Sequence, residues 1–126
     1  MRKIATVSND PEVKRVMLCD SDCGCYVFLF DRTDDGPGFA DYLQDSVSDA
    51  EAMCAEDYGI TSADWTWIPD TNDGCQDDWI EPVRVVGRES GKPQWGQFEH
   101  LEGGQWKRIN TEQDGAGQPA TRSESK

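Results

Sequence analysis

Residues 13–30 read VKRVMLCDSDCGCYVFLF and predict a β hairpin. Residues 13–19 and 25–30 are rich in the β-branched and aromatic side chains that favour strands. Between them, residues 20–24 form a polar segment of about the right length to reverse the chain. Because residues 26–30 are apolar on both faces, we expect the second strand of the hairpin to lie inside a sheet.

A helix is predicted over residues 48–58. Ser48 and Glu51 have the spacing of a capping box, and Gly59 is typical of the position that ends a helix. Apolar residues recur at helical spacing in this segment, which predicts a face that packs on a sheet. These residues are Val47, Ala50, Met53, Cys54 and Tyr58.

The flanking segments complete the predicted fold. Residues 1–12 are expected to be irregular, and Phe39, Tyr42 and Leu43 are expected in a loop or a short helical turn. Further predicted elements are a turn over 62–65, a short strand over 66–68, a strand over 83–86 and a second hairpin over 94–101 and 105–109. The sequence therefore predicts an α+β fold, a small antiparallel sheet of two hairpins plus one or two extra strands, with one main helix packed on one face.

The domain prediction follows from length and composition. A chain of 126 residues has the size of one domain, which we assign to residues 1–110. Residues 111–126 contain no large apolar side chain, and we expect them to be a disordered C-terminal tail.

The net charge excludes some classes of partner. The chain has 25 acidic and 12 basic residues, a formal charge of −13. This charge argues against direct binding of nucleic acid through its phosphates. No apolar run approaches the roughly 18 residues of a membrane helix, and residues 1–6 lack the apolar core of a secretory signal. We expect no membrane association and a cytoplasmic location.

The charge is concentrated in one segment. Residues 33–81 contain 14 acids and no Lys or Arg, while the rest of the chain sums to +1. Such a segment is either a solvated face that keeps the protein soluble or a docking face for a basic protein partner. The residues predicted to contact that partner are Asp34, Asp35, Asp41, Asp45, Asp49, Glu56, Asp57, Asp64, Trp67, Asp73, Asp77 and Asp78.

The cysteines offer an alternative chemistry. Five cysteines are an odd number in a chain without an export signal, so reduced thiols are expected, with Cys25 and Cys54 in the core. Cys19, Cys23 and Cys25 could share a zinc ion, although a second pair of ligands is missing. Two acidic loops match half of a calcium-binding pattern. We predict no cofactor and no catalytic residue.

One segment has a recognisable pattern. Residues 64–70 read DWTWIPD and residues 74–87 read GCQDDWIEPVRVVG. This pattern, above all Gly-Cys-x-x-Asp-Trp-Ile-x-Pro-Val-Arg-Val, resembles a stretch of small uncharacterised bacterial proteins, over about residues 16–87. The resemblance implies a bacterial source and carries over no activity. A structural reason for the pattern is that Trp79 and Ile80 pack where the chain enters the strand at Val83.

These observations favour a non-enzymatic acidic binding protein. It would act as an immunity-like or antitoxin-like inhibitor of a basic protein, or as a mimic of nucleic-acid charge. The competing hypothesis is a small enzyme that depends on zinc, calcium or a thiol.

Overall fold

The computed structural model describes residues 1–109, which form eight strands and one α-helix. All strand pairs are antiparallel and lie in two sheets, so the predicted α+β class is confirmed. The chain divides into two compact units, residues 1–71 with 77–80, and residues 72–76 with the chain from 81 onward. The predicted tail over 111–126 lies outside the described residues. The assignment of residues 1–110 to a single domain stays a prediction.

The first unit contains a five-stranded sheet in the order β4-β3-β2-β1-β5. Its strands are β1 (Arg2–Thr6), β2 (Arg15–Ser21), β3 (Gly24–Phe30), β4 (Ala40–Gln44) and β5 (Thr66–Ile68). The predicted hairpin is confirmed as β2 and β3, and β3 lies inside the sheet as expected. A single helix, α1 (Val47–Tyr58), follows β4, and a 3₁₀ turn (Ser62–Asp64) precedes β5.

The core of this unit lies between the sheet and α1. Val16 and Leu18 on β2 are opposite Leu29 and Val27 on β3, so these four side chains share one face of the sheet. Ala50 and Cys54 of α1 are buried in the same cluster, and Val47, Met53 and Tyr58 pack at its margin. The predicted apolar face of the helix is therefore confirmed.

The predicted end of α1 agrees with the structure, but its predicted start does not. The N-cap is Ser46, whose hydroxyl accepts a hydrogen bond from the backbone N–H of Asp49 at 3.1 Å. The prediction of Ser48 as the capping residue is wrong, because Ser48 already lies in the first helical turn. Ser46 instead has the extended backbone that is typical of an N-cap. Gly59 ends the helix in the left-handed conformation, with φ of 69°.

Two strands occur where none was expected. Residues 2–6 were predicted to be irregular but form β1, because the buried charges of Arg2 and Lys3 find partners far away in the sequence. Residues 39–43 were predicted as a loop or helical turn, but residues 40–44 form β4. Pairing with β3 along its whole length stabilises β4 despite its short and polar sequence.

The second unit contains a three-stranded sheet in the order β6-β7-β8. Its strands are β6 (Val83–Val85), β7 (Phe98–Glu102) and β8 (Gln105–Arg108). The predicted second hairpin is confirmed, with Gly103 and Gly104 in the turn. The Arg84 guanidinium contacts a carboxylate oxygen of Glu99 at 2.6 Å and lies over the ring of Trp106, 3.9 Å from its centroid.

Candidate partner-binding surface

The charge of the chain is carried almost entirely by the first unit. This unit contains 17 acidic and 5 basic side chains, a difference of −12. In the second unit, the described residues contain 5 acids and 5 bases, which cancel. Any electrostatic attraction of a basic partner therefore originates mainly in the first unit.

Most basic side chains of the first unit are withdrawn from its surface. Arg2, Lys3 and Arg15 are buried and Lys14 is partly buried, whereas the Arg32 side chain is 40% exposed and pairs with Asp34. The Lys14 ammonium donates to the backbone carbonyl of Asp10 at 3.3 Å. The cations of this unit thus serve its own structure instead of its outer surface.

Arg2 connects β1 to Pro69 and to residues 77–80, all within the first unit. Its guanidinium donates to the carbonyl oxygens of Pro69 at 2.9 Å, Asp77 at 3.0 Å and Ile80 at 3.2 Å, and also to that of Trp79. The Trp-Ile motif in the sequence is therefore held through its backbone, while the Trp79 and Ile80 side chains are partly buried.

Lys3 occupies a pocket of two aromatic rings and a carboxylate. Its ammonium donates to Glu51 of α1 and lies 5.2 Å from the ring centroids of both Trp65 and Trp67. Trp67 was predicted to contact a partner, and it is the most exposed aromatic side chain of the first unit at 64%. One side of its ring already faces a cation of its own chain.

Arg15 and Arg32 hold the loop that follows β3. The Arg15 guanidinium donates to the carbonyl oxygens of Thr33 and Asp34 and lies over the ring of Phe30 at 4.2 Å. Burial lowers the pKa of Arg15. Arg32 binds both carboxylate oxygens of Asp34 at 2.8 Å, and this contact lowers the pKa of Asp34 to about 2. Asp34 is therefore exposed but already paired.

The carboxylates of the first unit point outward, and 13 of the 17 are exposed. Five of the predicted contact residues occur on β4, on α1 and between them. We call the four that lie on α1 and between β4 and α1 the acidic surface, and its members are Asp45, Asp49, Glu56 and Asp57, whereas Asp41 lies on the face of the sheet that points away from α1. Asp49 and Glu56 are seven residues apart on α1, which places them on the same face of the helix.

The other predicted residues lie apart from this group. Asp64 caps the 3₁₀ turn by accepting from the backbone N–H of Thr61 at 2.8 Å and from its hydroxyl at 3.0 Å. Asp77 is exposed in the segment held by Arg2, and Asp73 is exposed in the second unit. Of the twelve predicted residues, the structure thus places four on α1 and on the link that leads into it, and the others lie elsewhere.

Asp35 and Asp78 have structural contacts instead of an exposed position. Asp35 accepts a hydrogen bond from the backbone N–H of Ile80, and Asp78 accepts one from that of Gly38, both at 2.9 Å. These reciprocal contacts join the loop after β3 to residues 77–80. Burial raises the pKa of Asp78, and the hydrogen bond from Gly38 only partly offsets this effect.

We expect Asp78→Asn to stabilise the first unit by about 1 kcal/mol at neutral pH, because the amide oxygen still accepts from Gly38 without a buried charge. The folded-state pKa of Asp78 lies above the ordinary value of 3.8. Its contribution to stability is therefore full below the unfolded-state pKa and is lost as the pH rises through the folded-state pKa. The gain from Asn should accordingly appear as the pH rises.

Urea unfolding at a series of pH values, from acid to neutral, measures this effect. The exposed Asp45→Asn is the control, and its effect should stay within about 0.5 kcal/mol. A gain from Asp78→Asn that is the same at acid and neutral pH contradicts the prediction.

The acidic surface has an apolar neighbour that the sequence did not reveal. Phe39, Tyr42 and Leu43 are each about half exposed, at 50%, 49% and 50%. On β3, the rings of Tyr26 and Phe28 stack with centroids 5.9 Å apart, opposite Leu43 and Asp41 respectively. Asp41 and Leu43 therefore lie on the same face of the sheet as these two rings, whereas Tyr42 lies on the face of α1. The available signal was the high aromatic content of residues 39–43 among acids, which we assigned to a loop.

The cysteines do not converge on one site. Cys19 is opposite Tyr26 and Cys25 is opposite Asp20, so the two thiols lie on different faces of the sheet, while Cys23 is exposed in the turn. Within residues 1–109, no group of three or more His, Cys, Asp or Glu side chains could hold a metal ion. Burial raises the pKa of Cys25 to about 11 and that of Cys54 to about 12, so both thiols stay protonated at neutral pH.

Comparisons of the chain with protein-family models, curated proteins and solved structures gave no match. Over residues 1–109, no helix has both the length and the apolar character needed to cross a membrane. The interpretation of the surface therefore depends on its own geometry and charge.

Proposed function

We propose that this protein is a non-enzymatic, cytoplasmic binding protein that presents the carboxylates of residues 34–81 to a basic protein partner. The observation that carries the proposal is the separation of charge in the first unit. Its basic side chains are buried or partly buried, whereas 13 of its 17 carboxylates are exposed. A partner that approaches this unit meets mainly carboxylates, and the guanidinium of Arg32, which is 40% exposed, is already bound to Asp34.

Local stability argues in the same direction. The last turn of α1 contains Glu56 and Asp57 and no basic residue. Acids at this end oppose the helix dipole, at a cost of about 0.3–1 kcal/mol each. Acidic side chains that destabilise the end of a helix are consistent with a role in binding a partner. Negative charge at this position attracts a basic surface.

Two versions of this function share the same chemistry. In the first, the protein is an immunity-like or antitoxin-like inhibitor that blocks a basic toxin. In the second, it mimics nucleic-acid charge and occupies a DNA-binding protein. They differ in what the partner loses, since the first partner loses its toxic activity and the second is displaced from duplex DNA.

The competing hypothesis of a metal-dependent or thiol-dependent enzyme has less support. Cys19 and Cys25 lie on opposite faces of the sheet, so together they do not suit a shared metal ion. Raised pKa values at Cys19, Cys25 and Cys54 keep these thiols from being reactive thiolates at neutral pH.

The test is affinity capture with two variants of equal charge. The first removes four charges from the acidic surface, through Asp45→Asn, Asp49→Asn, Glu56→Gln and Asp57→Asn. The control removes four exposed charges elsewhere in the first unit, through Glu12→Gln, Asp20→Asn, Asp22→Asn and Asp31→Asn. Each variant replaces one Glu and three Asp, so the net charge is identical.

We expect the wild type and the control to bind the same basic protein, and the first variant to bind it at least about tenfold more weakly. The association rate should fall steeply as salt is added, because exposed charges are screened. Equal binding by all three proteins, or an association rate that is independent of salt, would reject the proposal.

A further inference from the structure

The five-stranded sheet has two edges, and they differ in how well they are protected. β5 is three residues long and is followed directly by Pro69, both of which discourage a further strand. β4 is five residues long and contains neither Pro nor Lys. Among residues 1–109, no strand pairs with the outer edge of β4. The backbone groups of that edge are therefore available to another chain.

The side chains at this edge have a regular order of acidic and apolar residues. Asp41 and Leu43 point to the same face of the sheet because successive side chains of a strand alternate. Asp45 follows in the bend just beyond the end of β4. Along this edge the order is therefore acid, apolar, acid, and all three side chains are exposed. A complementary strand has the order basic, apolar, basic.

Charge decides which occupant fits. A second copy of this chain would place its own Asp41 and Asp45 against the same edge, and like charges on paired strands destabilise the pairing. The net charge of −13 adds repulsion between copies. A basic strand meets little opposing charge, because the basic side chains of the first unit are buried or partly buried and Arg32 is already bound to Asp34.

We propose that β4 binds its partner by strand addition, receiving a strand in which Lys or Arg residues flank an apolar residue. This inference rests on the proposed function and specifies how the partner is bound. Main-chain hydrogen bonds to the outer edge of β4 provide affinity, and the side-chain order provides selectivity. The added strand would also cover part of the exposed Leu43 side chain.

The probe is a blocked peptide with the central sequence Lys-Thr-Val-Thr-Lys, which presents Lys, Val and Lys on one face. Two further peptides carry N-methyl groups on alternate amides, one on each edge of the strand. Because an added strand uses only one of its edges, one methylated peptide should bind at least about tenfold more weakly and the other should bind normally. Amide exchange at residues 40–44 should slow when the unmodified peptide is added.

Two protein variants provide a matched comparison. Asp41→Lys with Asp45→Lys reverses the charge at the edge, and Asp20→Lys with Asp22→Lys makes the same change at the exposed end of β2 and in the turn that follows it. We expect the first pair to weaken peptide binding at least about tenfold and the second pair less than about twofold. Unfolding curves of both variants check that the changes leave the fold intact.

Equal binding of both methylated peptides, unchanged exchange at residues 40–44 or no binding of the unmodified peptide would each overturn strand addition. A dimer of the free protein with protected residues 40–44 would overturn it as well, by assigning the edge to a second copy. The proposed function is decided separately, by the four-carboxylate variants. Charge-dependent capture together with equal binding of the methylated peptides rejects strand addition alone.

Discussion

Replacement of Arg2 by lysine is expected to lower the free energy of unfolding of the first unit by about 3 kcal/mol. The guanidinium donates to four backbone carbonyls, those of residues 69, 77, 79 and 80. A lysine ammonium has three donors on one atom and cannot reproduce this fork. The substitution leaves carbonyl oxygens without their donor and a buried cation with fewer partners, and both effects are costly.

Urea unfolding followed by tryptophan fluorescence measures the Arg2→Lys effect. The matched control is Arg88→Lys, which makes the same chemical change at an exposed position and should alter stability by less than about 0.5 kcal/mol. Amide exchange in residues 66–68 should also quicken in the Arg2 variant, because Arg2 pairs with Ile68 across β1 and β5. Similar stability losses for the two variants would show that the four contacts contribute little.

Gly24→Ala is expected to cost about 3 kcal/mol or more. Gly24 begins β3 with φ of 135°, a conformation that side chains rarely adopt, and a Cβ atom there would lie 2.3 Å from the carbonyl oxygen of Gln44. That oxygen belongs to the backbone of β4, so no flexible side chain can move to relieve the overlap. The pairing of Cys25 with Gln44 must therefore shift.

Gly59→Ala separates the clash from the conformational strain. Gly59 also has a positive φ, of 69°, but its Cβ would meet only the side-chain nitrogen of Asn9 at 3.3 Å. We expect this variant to lose about 1 kcal/mol, the usual cost of a left-handed residue. Calorimetry or urea unfolding compares the two variants, and equal losses would mean that the contact with Gln44 has no special importance.

The elements that the sequence predicted correctly are those whose signals are local. β2 and β3 contain unbroken apolar runs on either side of a polar turn, and β7 and β8 flank Gly103 and Gly104. The end of α1 at Gly59 follows from the ability of glycine to adopt the left-handed conformation. The start of α1 was misplaced because Ser46 and Ser48 are equally suitable capping residues by type.

The missed strands depend on contacts that are distant in sequence. β1 begins with two charged residues. Burial of each charge is offset only by the groups that it contacts inside the protein. Arg2 needs the carbonyls of residues 69–80, and Lys3 needs Glu51 and two tryptophans. β4 lies at an edge, where exposed aromatic and acidic side chains obscure the alternation that marks a half-buried strand.

For the candidate surface, the sequence predicted the density of acids but not their surroundings. Counting charges identified residues 33–81, and four of the predicted residues lie on α1 and on the link that leads into it. It could not reveal that four of the five cations of residues 1–32 are buried or partly buried and the fifth pairs with Asp34, or that Asp35 and Asp78 hold the backbone. Both features arise from tertiary contacts between segments that no local pattern connects.

The central position of β1 also constrains the order in which the protein can fold during synthesis. Among the strands of its sheet, β1 is synthesised before the others and can pair early with β2, but its second neighbour, β5, is made much later. The carbonyls that bind Arg2 are 67 to 78 residues away in sequence. Nascent chains that stop short of residue 66 therefore leave one edge of β1 without its strand, and those that stop short of residue 80 lack acceptors for Arg2. Closure of so long a loop makes maturation of this unit slow and dependent on its last segment.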